Sequence, residues 1–458
     1  MKHRPVCTSQ PSCPASVRRF LTALNKYLAF AALFSMTMPS DCINVLLTAW
    51  CFTWILETAV SGRFLRPRFH RKYLALYALA LIYLLMAISL LYTENTAYAA
   101  RQFEKRLTFV FLPLMAVFGF SEEYERPAPF IKAFIAGNVV SLLVSMLWPA
   151  ALLLFTDTFD GADNVLWKIR ELLSFNYVRP TELGIFALAG WLCGIYLYRS
   201  TPASARKLKP VAFQCLWGGY GLVVCLWMWL LSCRMNMLLS GFFLVFMLIK
   251  DLWRRHRLTA LLLSVAALTA CVVVFTTHPR FQNLQPGKVF ATHDFSEQEQ
   301  RLGVWHSAVR ILQEDRNWLT GVGTGDVKDR LMEEYQRVFT PGSWMLGVVN
   351  SERTHVHNNF LLMALETGLA GVLVLLFLLV WPLVRCTRGP GGWLVVSLWL
   401  CMLLRMLIDA PFLNLREIAG FGWMWLFFTT FDDTDSACMT SDFTNRNQNR
   451  PDDRTVIL

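Results

Sequence analysis

Charge is what this sequence has least of. Only 16% of its 458 residues are Asp, Glu, Lys or Arg, against about 25% in a soluble domain, so a water-facing surface cannot be covered with them. That excludes a soluble enzyme and a nucleic-acid binder. No C-x-x-C occurs among the 12 cysteines, most of which lie inside apolar runs where Cys behaves as a small hydrophobe. The long polar stretch from Thr277 to Val356 has no Cys at all. Neither a disulfide framework nor a zinc site is supported. An internal repeat is lacking too. The opening MKHRPVCTSQPSCPASVRR is too polar and Pro-rich for a removable signal peptide, so the first helix is expected to be retained.

In place of charge there are apolar blocks. Hydrophobic residues make up 55% of the chain and aromatics 14%, with a mean hydropathy of +0.41. Tyr73 to Leu91, Trp191 to Tyr198 and Val211 to Leu231 are nearly free of charge, and a run of about 18–20 such residues crosses a bilayer as a helix. Strands of a transmembrane barrel would alternate instead. The fold expected is an all-α polytopic membrane protein of about twelve transmembrane helices. By apolar run length they are Phe20–Met38, Asp41–Val60, Tyr73–Leu91, Leu107–Phe120, Phe130–Phe155, Glu182–Tyr198, Val211–Leu231, Met235–Ile249, Leu258–Phe275, Asn358–Val384, Trp393–Ile408 and Phe412–Phe428. Residues 1–276 then hold helices one to nine, 277–357 one large, partly helical outer loop, 358–430 the last three helices, and 431–458 a disordered cytoplasmic tail.

The net charge of +11 and pI near 9.2 read first as topology, since Lys and Arg gather in cytoplasmic loops. With the N-terminus inside, the inward segments carry Arg18 and Arg19, then Arg63, Arg66, Arg68, Arg71 and Lys72. Arg199, Arg206, Lys207 and Lys209 follow, then Lys250, Arg254, Arg255 and Arg257, then Arg385 and Arg388. The basic residues that break this rule all fall on the outer side: Arg101, Lys105 and Arg106, Arg170 and Arg179, Arg234, and Arg301 in the long loop. Charges at apolar helix ends against the topological preference need a reason, and an outward-facing anion site is one. On the residues alone, Arg234 also reads as a helix terminator snorkelling to headgroups, and Arg301 as a solvated charge on an amphipathic helix. Arg101, Lys105 and Arg106 read as headgroup anchors, and Arg405 with Asp409, one turn apart, as an intramembrane ion pair.

Within the loop, SEQEQRLGVWHSAVRILQED has Leu302, Trp305, Val309 and Leu312 on one stripe, and Ser296 with Glu299 forms a capping-box pattern at its start. A second helix is expected from about Asp326, with Leu331, Tyr335 and Val338 on one face. The intervening WLTGVGTGDV lacks the Gly-Lys-Ser/Thr of a phosphate loop and reads as a tight helix–helix turn. The loop ends at His355-Val356-His357-Asn358. Two histidines at i, i+2 do not share a helix face, and no carboxylate cluster accompanies them in sequence, which argues against a metal pair. They remain open as interfacial helix caps, or with one as a general base supported by the other or by Asn358; an imidazole titrates near about pH 6.5.

At these residues the sequence resembles a family. His357-Asn358, nine residues, Gly368, two residues, Gly371 reproduces the H-N-x9-G-x-x-G pattern of the O-antigen ligase family. HNNFLLMALETGLAGVL, RLGVWHSAVRIL with WLTGVGTGD, and Ser-Cys-Arg at Ser232–Arg234 have the family's form, although the family usually has Ser-Arg. The resemblance is concentrated between about Arg179 and Gly371 and extends to O-antigen polymerases and protein O-oligosaccharyltransferases. It implies a bacterial inner-membrane glycosyltransferase with a periplasmic active site, moving a glycan from undecaprenyl diphosphate to lipid A–core. It also implies His357, Arg234 and Arg301 as catalytic residues, and Arg179, His355 and Asn358 as substrate contacts. No cofactor or metal is expected. No Asp-x-Asp pair for a divalent ion lies on the outer side, and arginine forks can hold a diphosphate instead. The other class weighed, a polysaccharide or lipid transporter, would show repeats and mid-membrane charges.

Overall fold

The computed structural model describes residues 14–38, 40–119, 127–155, 180–231, 234–253, 300–314, 317–338, 355–386 and 391–429, with isolated positions at 173 and between 257 and 273. Every regular element among the described residues is a helix. In chain order they are α1 Ala15–Phe34, α2 Ser40–Val60, α3 Leu74–Ser89, α4 Thr96–Lys105, α5 Thr108–Phe118, α6 Pro127–Phe155 and α7 Pro180–Ser200. Then come α8 Pro210–Leu230, α9 Arg234–Trp253, α10 Gln300–Gln313, α11 Asn317–Thr320, α12 Val327–Val338, α13 Asn359–Cys386 and α14 Gly392–Ile408. The last is α15, 415–429.

Seven of these, among the described residues, are long and apolar enough to cross a membrane: α1, α2, α3, α6, α7, α8 and α13. The twelve expected spans are therefore supported in part. α5 and α14 are apolar but shorter, and the span expected over 258–275 falls largely outside the described residues. α15 is buried along almost its whole length, so its apolar sequence serves protein packing more than lipid contact. α3 packs on α13 and α5, α7 sits between α6 and α14, and α1 and α2 form a hairpin.

Contacts divide the bundle into two ends. At one, Arg63 donates to the Gly119 carbonyl at 3.1 Å and Arg199 lies over the Trp393 ring, which gathers basic residues expected inside. At the other lie the α3–α4 turn, the helices α10 to α12, and the junctions into α13 and α15. Arg106 is at this second end, but not as a headgroup anchor. It is fully buried and forks onto Glu366 of α13 at 2.5 and 2.8 Å, while its Nε donates to the Phe412 carbonyl at 2.8 Å. The sequence reading missed this because the partner comes from a helix distant in the chain. A bidentate pair with a third acceptor is the geometry in which a buried guanidinium can be tolerated.

The stripe of α10 also differs from expectation. Val304, Ser307, Ala308 and Ile311 are buried, whereas Val309 is exposed and Trp305 and Leu312 are half-buried. Two overlapping stripes satisfy helical spacing, and the one with smaller side chains faces α12, which packs Val327, Leu331 and Tyr335 inward. The Ser296–Glu299 capping pattern lies outside the described residues.

The glycine run after α11 is a docking turn. Gly321 and Gly323 have φ of +74° and +96°. The Val322 N–H donates to the Leu365 carbonyl at 2.7 Å, and Tyr92 Oη donates to the Thr320 carbonyl at 2.6 Å. The Asp326 carboxylate accepts the backbone N–H groups of Glu94 and Asn95 at 2.8–3.1 Å. Opposite this turn, Gly368 interrupts α13 with φ +66°, ψ −157°, and a Cβ there would overlap the Leu319 carbonyl. The motif glycine is thus required by close approach and by a left-handed backbone. Gly368→Ala is expected to cost more than about 1 kcal/mol and to lower the thermal unfolding midpoint in detergent; an unchanged midpoint would show that the contact is not needed.

Candidate functional site

His355 to Asn358 enter α13 in non-helical backbone, and His357 adopts φ +50°. A non-glycine residue in that region is strained and held only where its surroundings demand it. Those surroundings are visible. Asn358 Oδ1 accepts the N–H groups of Phe360 and Leu361 at 2.9 and 3.0 Å, and its Nδ2 donates to the Leu407 carbonyl at 3.1 Å. Asn359 Oδ1 accepts the Phe412 N–H at 3.2 Å. Asn358, expected as a substrate contact, is therefore occupied as the N-cap of α13 and as a tie to the end of α14. Val356 is buried between the two histidines, whose rings meet edge to face with centroids 3.9 Å apart.

The histidines have the carboxylate that sequence spacing did not show. Asp409, just beyond α14, places Oδ1 3.3 Å from His357 Nδ1 and 3.9 Å from His355 Nε2. The same oxygen accepts the Ala410 N–H at 2.9 Å. Oδ2 accepts from Arg405 at 2.7 Å, as the one-turn spacing predicts, and Arg405 also forks onto Glu417 of α15 at 2.5 and 3.1 Å. Burial pushes the Asp409 carboxyl up, but the Arg405 guanidinium and the two facing imidazoles outweigh it and hold it well below the usual carboxylate range; His357 Nδ1, although 3.3 Å away, lacks the alignment of a hydrogen bond. Asp409 thus faces the rings as a carboxylate. The sequence reading paired Asp409 with Arg405 and missed its link to the histidines; an acid at the end of an apolar helix is a signal that could have found it.

Arg301, on α10, keeps solvent access along its side chain, yet enough protein crowds it that desolvation lowers its guanidinium below the ordinary value. Attraction from Asp409 opposes that shift and repulsion from Arg405 adds to it. The residue is therefore within electrostatic reach of the histidine–carboxylate cluster. Arg234 begins α9, but its side chain is not among those described. Its helix start reaches the same end of the bundle, because Asn236 Nδ2 donates to the Thr181 carbonyl at 2.9 Å and Asn414 donates to Glu182. Arg179 lies outside the described residues.

Chemically, an imidazole whose Nδ1 faces a carboxylate is oriented to use Nε2 and is stabilised once protonated. His355, His357 and Asp409 also offer one atom each within 4.8 Å of one another, a spacing that suits a metal ion. Against that, Arg405 already neutralises Asp409 from 2.7 Å, and a cation would be placed beside a guanidinium. Ionised Asp409 favours the fold above its usual pKa of about 3.9, and this contribution is lost as pH falls through the depressed folded value. Asp409→Asn is expected to lower the thermal midpoint at pH 7, with the gap from wild type narrowing as pH drops below about 4. Equal midpoints at pH 7 would remove Asp409 from the cluster's stabilising contacts.

Residues 220–376 match the family model described as O-antigen ligase. The matched stretch takes in Arg234, Arg301, both histidines and Gly368, and stops before Asp409. It supports an O-antigen ligase or polymerase type of glycosyltransferase in a multi-pass membrane protein. A comparison with curated proteins gave no match.

Proposed function

From the O-antigen ligase signature over residues 220–376, we propose that the chain is an O-antigen ligase, moving a glycan from undecaprenyl diphosphate to lipid A–core. The reaction is placed on the periplasmic face of the bacterial inner membrane. The observation that carries this reading is the His357–Asp409–Arg405 cluster with Arg301 in electrostatic reach. It joins a proton acceptor to a cation at one end of an apolar bundle.

In this reading a hydroxyl of the acceptor sugar attacks the anomeric carbon of the donor. Its proton passes to His357 Nε2, and the C–O bond to the diphosphate breaks with its electron pair leaving on the phosphate oxygen. Direct displacement inverts the anomeric configuration. Asp409 faces Nδ1 from 3.3 Å and attracts the imidazolium that forms, in the manner of a carboxylate behind a general base. Charge growing on the leaving diphosphate is met by guanidinium forks, which stay ionised at any working pH and do not need a metal. Arg301 and Arg234 supply them, with Arg179 as a further contact and His355 supporting His357. The loop 277–357 is read as the periplasmic catalytic loop.

Purified full-length protein, undecaprenyl-diphosphate-linked glycan and lipid A–core test this directly. Glycan is expected on the core, and His357→Ala is expected to reduce transfer by about 10²–10⁴-fold. Arg234→Ala and Arg301→Ala should also abolish transfer while expression and membrane insertion persist. Glycan lengthened on its own lipid carrier, without core product, would make the protein a polymerase. Near-normal transfer by His357→Ala would remove the general-base assignment.

A further inference from the structure

Three arginines lie buried at the same end of the bundle, and one of them differs from the others. Arg106 and Arg405 are each forked onto a carboxylate. Arg416, in the first turn of α15, is only 2% exposed, and none of its three side-chain nitrogens has a hydrogen-bond partner among the described residues. The acids nearby are committed elsewhere. Glu417 is held by Arg405 and Glu182 by Asn414, so both act on Arg416 only from a distance.

Two penalties coincide here. A buried guanidinium without an acceptor is costly in an apolar bundle. The N-terminus of a helix is also the positive end of its dipole, which repels a cation and attracts an anion. Asn414 Oδ1 has already accepted the Arg416 backbone N–H at 3.1 Å, so the local cap is complete and the side chain is what remains unanswered. An anion placed there would relieve both penalties together.

The surroundings set the unanswered cation beside the histidine cluster: Arg416 adjoins Glu417, from which Arg405 and Asp409 lead to His357. Along the same face of α15, at helical spacing, follow Gly420, Trp423, Met424 and Phe427. With Phe186 of α7 and Leu398 of α14 they close around a void with room for about one water, so this face is packed against protein. A cation at the end of an apolar bundle suits the phosphate head of an amphiphile whose chain stays in the surrounding lipid. We propose that Arg416 is a phosphate-binding residue that takes the diphosphate of the lipid-linked donor. The planar fork offers two parallel donors to phosphate oxygens. The assignment rests on the transfer reaction proposed above and adds a third kind of contact to it, one supplied from α15 beyond the matched segment.

The test uses purified full-length protein in detergent, wild type beside Arg416→Met and Arg416→Lys. Thermal midpoints are read alone and with undecaprenyl diphosphate, undecaprenol or phosphatidylglycerol. Without lipid, Arg416→Met should be at least as stable as wild type, because an uncompensated charge has been removed. Undecaprenyl diphosphate should raise the wild-type midpoint and undecaprenol should not. In Arg416→Met that rise should vanish, with affinity weakened by at least about tenfold, and Arg416→Lys should keep part of it. A less stable Arg416→Met that retains the full diphosphate response would make the residue structural and overturn the proposal. Equal protection by phosphatidylglycerol would assign the site to bilayer headgroups and overturn the donor assignment. Glycan transfer with an unchanged KM in Arg416→Met would overturn the proposal and leave the transfer reaction standing. A diphosphate-specific response in a wild type that transfers nothing would instead contradict the transfer reaction alone.

Discussion

Burying a guanidinium in an apolar bundle is costly unless carboxylates answer it, and the answer given to Arg405 organises this end of the molecule. Its two carboxylate partners come from different places: Glu417 from α15, and Asp409 from the connection beyond α14. Because Arg405 neutralises Asp409, that carboxylate can remain ionised in a buried position and turn its second oxygen to His357 and His355. Without Arg405, Asp409 would be a buried anion facing only imidazoles and the Ala410 N–H, and burial would favour its protonated form. The charge that the histidines face therefore depends on the Arg405–Asp409 pair.

The second constraint is steric. Helices α10 to α12 reach the bundle through a turn whose backbone lies directly on α13, and this approach is open only because Gly321 and Gly368 lack side chains. Asp326 fixes the far side of the same turn on the α3–α4 connection, and the Arg106–Glu366 pair ties the α4–α5 junction to α13 two residues before the kink. Arg301 is carried on α10, so its distance from the histidines follows from this docking.

Much of this was legible in the sequence. Apolar run length found α1 to α3, α6 to α8 and α13 within a few residues, because a spanning helix must be both long and apolar. The sign pattern of the basic residues separated the two ends of the bundle, and one-turn spacing found Arg405 with Asp409. What could not be read was which groups meet across the chain. Arg106 looked like a headgroup anchor because Glu366 is on another helix, and the histidines looked bare of carboxylates because Asp409 belongs to the far end of α14. The stripe of α10 was misplaced because large residues drew attention to one of two faces with equal spacing. Asn358, adjacent to the key histidine, is spent on capping, a role that its position before an apolar run also announces. The motif glycine Gly368 had a family meaning in the sequence and acquires a physical one only against Leu319.

In the proposed transfer, arginine and histidine do what a divalent ion does in many glycosyltransferases, although His355, His357 and Asp409 have a spacing that would accept one. The most direct measurement is the metal content of the purified protein together with its transfer rate before and after exhaustive chelation. The account predicts no stoichiometric transition metal and an unchanged rate in chelator. A metal bound one to one, lost with chelation along with activity and lost again in Asp409→Asn, would contradict it and make the cluster a metal centre.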